Sequence, residues 1–321
     1  MRVVITGALG HVGSRLIREM PRAFPDADIV MLDNLATQRY CSLFNLPPEG
    51  RYRFRELDVV DADLVEAFHG ADAVIHLAAA TDAAGSFEHE EQVERVNVLG
   101  TERVARACLR TGSALVFAST TSVYGAQSGL VDEDCPAAAL RPQSPYAVSK
   151  LKAERLLEEL GRNDGLRYIT CRLGTGFGVS PGMRFHTAVN KFCWQAINGL
   201  PVTVWRTALQ QQRPYLGLGD AVAAFIFIVR RALFDRRVFN VVSLNATVSE
   251  VVEAISARVP DAAIRYADSS IVNQLSYRVS NRRFAGLGFE FRDQLAQGIA
   301  ETIQLLQSAA GMAVACSSSR R

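Results

Sequence analysis

The 321-residue chain is 49% apolar and 21% charged, the composition of a globular protein with a large core. Its 35 Lys and Arg against 33 Asp and Glu give a formal net charge of +2, and no basic cluster of the kind that contacts nucleic acid is visible. No apolar run reaches the ~18 residues of a membrane span, and "MRVVITGALG" turns glycine-rich before a signal peptide can form, so we expect a cytoplasmic protein without nucleic-acid or membrane partners.

Strand-like and helical segments alternate through the first half of the chain. Short apolar runs predict strands at residues 3–6, 29–32, 73–77, 115–118 and 168–173. Helices are predicted between them, at residues 12–20, 63–68, 93–110 and 146–160. This alternation predicts an α/β fold, a doubly wound parallel sheet with helices on both faces, whose ligands bind beyond the carboxyl ends of the strands.

The pattern loosens after residue 173, where glycine and proline interrupt "GTGFGVSPG". Strands are predicted at "PVTVW" and "VFNVV", and helices at 184–198, 220–233 and 247–258, the last opened by a capping box of Thr247 and Glu250. We therefore expect a dinucleotide-binding domain over 1–173, to which parts of 205–245 return, and a smaller mixed α/β substrate-binding region over 174–308. Residues 309–321 are predicted to be a disordered tail.

Three glycines, Gly7, Gly10 and Gly13, follow the first strand and lead into the first helix. Glycine there lets a phosphate approach the helix N-terminus, whose free N–H groups and partial positive charge favour anions. Asp33 closes the second strand, where a carboxylate can accept hydrogen bonds from the adenosine ribose and would repel a 2′-phosphate. These residues predict a bound dinucleotide and favour NAD over NADP. Asp58 is expected either near the adenine or as a helix N-cap.

The six cysteines are scattered along the chain without a C-x-x-C pair. Neither a structural zinc site nor a disulfide framework is predicted, and we expect no metal. A reducing compartment suits this pattern.

A tyrosine and a lysine lie four residues apart in "SPYAVSKLKAE". This spacing places Tyr146 and Lys150 on one face of a helix. A neighbouring ammonium favours the phenolate and lowers a tyrosine pKa from its usual ~10, so that the tyrosine can take a proton from a sugar hydroxyl or give one to a ketone. Because the same spacing also occurs in ordinary surface pairs, it gains its weight from the glycine turn upstream.

Ordered motifs between residue 2 and about residue 307 resemble those of the extended short-chain dehydrogenase/reductase family, in its nucleotide-sugar epimerase and dehydratase branch. They are "TGALGHVG", "VIHLAAAT", "NVLGT", "ASTTSVYG", "SPYAVSK" and "RLGTGFG". The resemblance implies a Rossmann fold, bound NAD, a nucleotide-diphosphate sugar as substrate, and a homodimer. It also implies Tyr146 as the catalytic acid/base, Lys150 as its electrostatic partner, and Thr120 as the hydroxyl that bonds the reacting oxygen.

Further residues match the family's binding positions. For the cofactor, the resemblance implies Gly7, Gly10, His11, Val12, Gly13, Asp33, Asn34, Asp58, Val59, Leu77, Ala78, Ala79, Asn97, Tyr146 and Lys150. For the substrate, it implies Thr81, Thr120, Thr121, Thr175, Asn190, Arg213 and Arg278, with Ser86 on the same loop as Thr81. Asn97 is expected to hold backbone near the cofactor, and His76 to pack beside it without a catalytic role.

The chain departs from the family pattern mainly on the substrate side. Arg213 matches an arginine that binds phosphates, but Pro214 replaces the usual aspartate beside it. Thr175 stands where relatives have asparagine, and Arg278 is a stand-in for a second arginine. Residues 202–205 are expected near the nucleobase or sugar, or equally in the core.

The two residues after Thr120 bear on the reaction. Sugar 4,6-dehydratases carry an Asp-Glu pair there, whereas this chain has Thr121 and Ser122, whose hydroxyls are too weakly acidic and basic for elimination at neutral pH. Decarboxylating relatives keep a glutamate at the second place. What remains is a site that moves a hydride and one proton, so an NAD-dependent epimerase, acting at C4, is predicted.

Other activities stay open. A 4-keto-sugar reductase would use the same tyrosine and lysine, although most such enzymes prefer NADPH, against which Asp33 counts. A dehydratase or decarboxylase of the same family is a further alternative. A cofactor-sensing protein that kept the fold without catalysis is a remote one, because such proteins typically lose the tyrosine and lysine.

Overall fold

The structure is a computed structural model that describes residues 1–127, 129–268 and 276–309. Its strands are β1 (Arg2–Thr6), β2 (Asp28–Asp33), β3 (Arg51–Glu56), β4 (Ala73–His76), β5 (Ala114–Thr120), β6 (Leu130–Val131), β7 (Tyr168–Leu173), β8 (Thr175–Phe177), β9 (Val202–Trp205), β10 (Gln212–Gly217), β11 (Val238–Val241), β12 (Leu244–Thr247), β13 (Ile264–Ala267) and β14 (Arg278–Val279). Its helices are α1 (His11–Ala23), α2 (Leu64–Ala67), α3 (Glu90–Glu94), α4 (Gly100–Thr111), α5 (Pro145–Asn163), α6 (Ala188–Ile197), α7 (Leu218–Arg231), α8 (Val248–Ser256), α9 (Arg282–Ala285) and α10 (Leu295–Ala309).

Seven strands of the described chain form one parallel sheet in the order β11-β7-β5-β4-β1-β2-β3. The strand order reverses between β1 and β4, the position at which doubly wound sheets bind their ligands. The predicted Rossmann-type α/β class is confirmed.

Both faces of this sheet are buried, which explains its continuous apolar strands. In β1, Val3 and Ile5 belong to one core together with residues of α1 and α7, and Val4 belongs to the core on the opposite face, under α4 and α5. All three side chains are fully buried. Because helices cover both faces, the side chains of the central strands β1, β4 and β5 are buried along their length.

Smaller sheets lie outside the parallel sheet. β8, β10 and β12 form one, β9 pairs with β13, and β6 pairs with β14. A further core joins α6, α8 and α10 to β9 and β10. The returning strand β11 pairs with β7, and α7 packs on α1. The division into a dinucleotide-binding and a substrate-binding region stays a proposal, and residues 310–321 of the predicted tail lie outside the described residues.

Several predicted elements begin or end elsewhere. β3 was not predicted, because this edge strand has the sequence "RYRFRE", whose charged residues face solvent. The predicted helix 184–198 begins only at Ala188, so Arg184 lies in the preceding loop. The predicted helix 93–110 is observed as α3, a π-helical segment Arg95–Leu99, and α4. The capping box is confirmed: Glu250 N donates to Thr247 Oγ1 (3.1 Å) and Thr247 N donates to Glu250 Oε2 (2.6 Å).

Among the helices described, none is long and apolar enough to cross a bilayer.

Candidate active site

A cavity of about 490 Å³ opens at the carboxyl ends of β1, β2, β4, β5 and β7. Most residues predicted for the site line it. They are Gly7, Gly10, His11, Val12, Gly13, Asp33, Asn34, Asp58, Val59, Leu77, Ala78, Ala79, Thr81, Thr120, Tyr146 and Lys150. The structure therefore brings the glycine turn and the Tyr146–Lys150 pair to one place, although more than 130 residues separate them in the sequence.

The glycine turn connects β1 to α1 and packs closely against the backbone of the loop after β4. Gly7 has φ +66° and a Cβ on it would lie 2.6 Å from Ala78 N, so no larger residue fits there. A Cβ on Gly13 would overlap the Gly7 carbonyl oxygen. The N-cap of α1 is Gly10, which supplies no side-chain acceptor, so the first N–H groups of α1 stay available for an anion. These features fit a dinucleotide pyrophosphate.

Asp33 is held firmly at the end of β2. Its Oδ2 accepts a hydrogen bond from Leu9 N and its Oδ1 accepts one from Leu35 N, both at 3.0 Å. Each oxygen keeps a further lone pair for a ribose hydroxyl. Arg39 also lines the cavity. Burial lowers the pKa of Arg39, and the nearby negative charge of Asp33 acts in the opposite direction.

Asp58 lies in the cavity wall and is not the cap of α2. Its Oδ1 accepts from Val60 N (2.8 Å) and its Oδ2 accepts from Asn34 Nδ2 (2.9 Å). The N-cap of α2 is Asp63, which accepts hydrogen bonds from the backbone N–H groups of residues 65 and 66. Of the two roles predicted for Asp58, that of helix N-cap is therefore excluded.

His11 connects the glycine turn to the second half of the chain. Its Nε2 lies 2.9 Å from the carbonyl oxygen of Gly178, and burial lowers the pKa of His11 to about 4. Nearby, Gly182 N donates to Ser14 Oγ (2.9 Å). The loop after β8 is thus fixed against the N-terminal turns of α1.

Tyr146 lies in the first turn of α5, whose N-cap Ser144 accepts from Ala147 N (3.2 Å). Burial raises the pKa of Tyr146, while the positive charge of Arg184 and a hydrogen bond with Thr120 act to lower it. The direction is opposite to the predicted one, because burial outweighs the groups that favour the phenolate.

Lys150 lies one turn after Tyr146 on α5 and is buried. Its Nζ donates to Ala118 O (2.9 Å) and lies 4.8 Å from the centre of the Phe117 ring. Burial lowers the pKa of Lys150 to about 7, against the opposing effect of Glu154. The positive charge of Arg184 opposes the effect of burial on the Tyr146 pKa.

A buried ion pair supports the Lys150 position. Glu154, one further turn along α5, accepts from Arg172 Nη2 (2.7 Å) and Nε (3.0 Å), and also from the hydroxyl of Ser119. The side chains of Glu154 and Arg172 are 7% and 6% exposed. Because β5, β7 and α5 each contribute a member, this cluster fixes α5 against the sheet directly behind Lys150.

Asn97 has the structural role predicted for it, away from the cavity wall. Its Nδ2 donates to Ala80 O (3.0 Å) and to Ser149 Oγ (2.9 Å), and its Oδ1 accepts from Ala80 N (2.8 Å). It therefore ties the loop after β4 to α5. The π-helical segment that carries Asn97 is of a kind frequent at functional sites.

Several residues predicted for the substrate do not line this cavity. Thr121 donates to Leu173 O (3.3 Å), and Asn190 is fully buried, donating to Arg184 O (3.1 Å) and accepting from Gly178 N (3.3 Å). Thr175 lies in β8, between two glycines that do line the cavity. Their contacts with substrate stay predictions.

The two arginines predicted for the substrate differ in exposure. Arg213 in β10 is half-buried, and its Nη2 lies 3.4 Å from Gln211 Oε1. Arg278 in β14 is exposed. In β9, the strand of residues 202–205, Val202 and Val204 are buried in the core whereas Trp205 is 47% exposed. The prediction of a core position therefore holds for the two valines.

Some cavity residues were missed by the sequence analysis. Arg39, Arg184 and His186 line the cavity, and Tyr277 is buried where hydrogen bonds with Thr121 and Ser122 act on its pKa. The first three lie in loops without a motif, so no local signal could have found them. Tyr277 directly precedes Arg278, the predicted second arginine, and no motif marks it.

Comparisons with known proteins agree with this geometry. The profile of the NAD dependent epimerase/dehydratase family matches residues 3–241. The chain is 30% identical over 320 residues to RHM3 of Arabidopsis thaliana, a trifunctional UDP-glucose 4,6-dehydratase/UDP-4-keto-6-deoxy-D-glucose 3,5-epimerase/UDP-4-keto-L-rhamnose-reductase. That alignment covers 94% of this chain and 46% of RHM3, so the chain spans about half the length of this relative.

Two solved structures extend the comparison. MoeE5 in complex with UDP-glucuronic acid and NAD is 29% identical, with a TM-score of 0.83, over 96% of this chain and 100% of that one. MoeE5 has also been solved in complex with UDP-glucose and NAD. The UDP-glucose 4-epimerase of Thermus thermophilus, in complex with NAD, is 26% identical, with a TM-score of 0.84, over 96% of this chain and 100% of that one.

Proposed function

Because the chain belongs to the NAD-dependent epimerase/dehydratase family, we propose that it is a nucleotide-diphosphate-sugar epimerase that inverts C4 through a transient 4-keto sugar. NAD is its cofactor. The observation that carries the proposal is the meeting of Tyr146, Thr120 and Lys150 with the glycine turn in one cavity, with hydroxyl residues instead of carboxyl residues after Thr120.

The cofactor would be held by the N-terminus of α1 and by Asp33. When bound, NAD supplies reversible two-electron oxidation of the sugar carbon. Lys150 lies on the Tyr146 face of α5 and would bond the nicotinamide ribose. The buried Glu154–Arg172 pair ties this face of α5 to β7.

The protein moves one proton. Tyr146 Oη takes it from the C4 hydroxyl as C4 becomes a ketone, and returns it after the sugar has turned over in the cavity. Thr120 bonds the reacting oxygen and positions it against Tyr146. Arg184 and Thr120 favour the phenolate that forms before the proton is taken, against the effect of burial.

Thr121 and Ser122 limit the chemistry to this exchange. Elimination of water from the sugar requires an acid to protonate the leaving hydroxyl and a base to abstract a carbon-bound proton. Thr121 donates its hydroxyl to Leu173 O, and neither residue titrates near neutral pH. The relatives include both dehydratases and epimerases, and between these two activities the two hydroxyl side chains favour epimerisation.

A solvent-isotope experiment tests the proposal. The purified protein, with its retained NAD quantified after denaturation, is incubated with UDP-, dTDP-, GDP- and CDP-sugars in D2O, and products are read by proton NMR. A C4 epimerase yields the 4-epimer with no deuterium on carbon. A dehydrated product labelled with deuterium would contradict the proposal. Stoichiometric consumption of added NADH when an NDP-4-keto sugar is supplied would also contradict it, because it indicates a reductase.

Tyr146→Phe is the first prediction and the control for this assay. Because the phenyl ring cannot exchange the proton, turnover should fall by at least about 10²-fold, while the amount of NAD retained stays near that of the wild type. Equal loss of NAD binding and turnover would show a structural role for the hydroxyl. If no turnover is ever detected with any sugar, the sensor alternative gains.

We also propose that the protein is a homodimer. In support, two large apolar side chains are exposed in or just before the helical segment 90–111: Leu99 is 42% exposed and Phe87 is 56% exposed. Light scattering on the purified protein measures the mass, and a monomeric value at micromolar concentration would contradict this proposal.

A further inference from the structure

We propose that residues 36–45 form a strap that closes over the bound dinucleotide, with Arg39 as its contact with the pyrophosphate, and that opening of this strap limits both entry and release of the cofactor. The inference goes beyond the proposed function. It needs NAD as the cofactor and does not depend on which sugar reaction the site performs.

The first part of the strap lies in the wall of the cofactor cavity. Ala36, Thr37 and Arg39 line the cavity, just after Asp33, the acceptor predicted for the adenosine ribose. The strap therefore begins on the adenosine side of the site.

The second part of the strap is tied to two other segments that border the cavity. Ser42 is fully buried, and its Oγ donates to the carbonyl oxygen of Leu9 in the glycine turn (2.8 Å). Cys41 Sγ donates to Pro181 O (3.3 Å), in the loop after β8. The strap thus crosses the glycine turn and reaches the loop on its far side.

The strap has little else to hold it in place. Residues 36–41 are exposed apart from the half-buried Arg39, and the large side chain of Tyr40 is 50% exposed. Segments with few buried apolar contacts open at a low free-energy cost while the rest of the fold stays intact. The two tethers are therefore the contacts that an opening movement has to break.

The backbone of this segment is strained in the closed position. Leu35, Gln38 and Asn45 each have φ +52°, and they are three of the five non-glycine residues with positive φ in the described part of the chain. Side chains with a Cβ disfavour this left-handed region, and such strain is typical of ligand clamps and switch segments. Opening of the strap would release it.

Arg39 supplies a positive charge that the cofactor can meet. Its Nη1 would lie 3.9 Å from a Cβ on Gly10, the N-cap of α1, whose first N–H groups have no side-chain cap. Among the described residues, no carboxylate lies within ion-pair distance of the Arg39 guanidinium. A pyrophosphate at the N-terminus of α1 would meet this guanidinium, so the cofactor would help to hold the strap closed.

Rates of NADH binding test the strap. Release is followed as the loss of NADH fluorescence when NADH-loaded protein is mixed with excess NAD, and entry as the gain of fluorescence when NADH is added to cofactor-free protein. Ser42→Ala removes a tether that is not a cofactor contact, so both rates should rise roughly fivefold while the dissociation constant stays near that of the wild type. Arg39→Gln removes the contact with the pyrophosphate, so release alone should become faster, by at least about tenfold.

Gln38→Gly tests the strain without removing a tether. Glycine adopts a positive φ without steric cost, so the closed strap should be favoured and both rates should fall, roughly fivefold. Thr302→Val is the matched control for Ser42→Ala, because it removes a buried hydroxyl that donates to Gly298 O within α10, outside the cavity. Both of its rates should equal those of the wild type.

Several results would overturn the inference. Unchanged rates in Ser42→Ala, or faster release without faster entry, would show that the strap does not gate the cavity. Release from Arg39→Gln at the wild-type rate would remove Arg39 as the contact with the cofactor. Faster release from Gln38→Gly would contradict the role of strain, and this variant decides the question if Ser42→Ala does not fold.

The inference and the proposed function fail separately, because the readout is the binding of NADH. If the rates change as expected and no sugar is epimerised, the strap stands and the epimerase is wrong. If a 4-epimer is formed and the rates do not change, the function stands and the strap is wrong.

Discussion

His76 shows how a buried side chain can be held neutral by its neighbours. Its Nδ1 lies 2.7 Å from Thr6 Oγ1 and its Nε2 lies 3.2 Å from Thr101 Oγ1, whose own hydroxyl donates to Asn97 O. Thr101 must therefore accept from His76 Nε2–H, and Nδ1 must accept from Thr6. Burial, followed by the charge of Lys150, lowers the pKa of His76 to about 3. The neutral ring therefore joins β4 to β1 and to α4 through these two hydrogen bonds.

His76 gives the second prediction, on acid stability. Its pKa is about 6.5 in the unfolded chain and about 3 in the folded one, so the unfolded state binds the proton first and stability falls as the pH drops from about 6.5 towards 3. His76→Gln should lose less stability between pH 7 and pH 5 than the wild type, as measured by urea unfolding. His89→Gln, at an exposed position, should keep the wild-type slope, and identical slopes for all three proteins would contradict this account.

Asp33 gives the third prediction, on cofactor choice. Its carboxylate bonds two backbone N–H groups and faces the cavity. In Asp33→Ser the loss of a charged acceptor should weaken NAD binding roughly tenfold, and the loss of repulsion should raise the affinity for NADP relative to NAD. Both are measured by fluorescence titration of the reduced cofactors. Asp26→Ser removes an exposed carboxylate outside the cavity and should change neither; an unchanged preference in Asp33→Ser would remove Asp33 as the selecting residue.

At the level of elements, one face of α5 carries both the catalytic residues and the buried glutamate that anchors the helix to the sheet. Tyr146, Lys150 and Glu154 follow one another at intervals of four residues, so they lie in a row along the helix. Tyr146 faces the cavity, whereas Glu154 is bonded to Arg172 on β7. The spacing of Tyr146 and Lys150 could be recognised from the sequence. The pairing of Glu154 could not, because its partner lies on another element.

The buried pair gives the fourth prediction. Glu154→Gln leaves Arg172 buried without a countercharge and should cost about 3–5 kcal/mol of stability. Glu158→Gln, on the same helix, breaks an exposed pair with Arg162 and should cost at most about 0.5 kcal/mol. Both are measured by urea unfolding. Equal effects of the two substitutions would show that the buried pair has no special role in fixing α5.

The β3 edge of the parallel sheet shows where pattern-based prediction of strands fails. The central strands β1, β4 and β5 are continuous apolar runs, because helices cover both faces. β3 lies at the edge, and its arginines form exposed ion pairs with Asp26, Asp28 and Glu66. Its sequence therefore resembles a polar loop, and only pairing with β2 makes it a strand.

At the level of the whole molecule, the site forms where the loop after β8 meets the glycine turn. His11 bonds Gly178 and Ser14 bonds Gly182 across this junction. A Cβ on Gly182 would overlap the Leu9 carbonyl oxygen. Because the same loop carries Arg184, the cofactor side and the substrate side of the cavity share one packed contact.

This contact gives the fifth prediction. Gly182→Ala should lower the melting temperature, because overpacking at a close backbone contact typically costs about 1–3 kcal/mol, and it should also reduce the NAD retained on purification. Gly176→Ala adds a methyl group where nothing lies within 4 Å, so its melting temperature should match the wild type. Full NAD retention in Gly182→Ala would show that the loop and the glycine turn are not coupled.

The sequence by itself determined the fold class, the dinucleotide turn, and the Tyr146–Lys150 pair, because each depends on local spacing: apolar runs, glycines at fixed intervals, and residues one helical turn apart. The tertiary structure decided what surrounds them. Arg184 and Arg39 approach the site from loops without a motif, Glu154 finds its partner on β7, and burial sets the direction of the Tyr146 and Lys150 pKa shifts. Contacts between segments that are distant in the sequence, and the burial that they cause, cannot be recognised from the local spacing of residues.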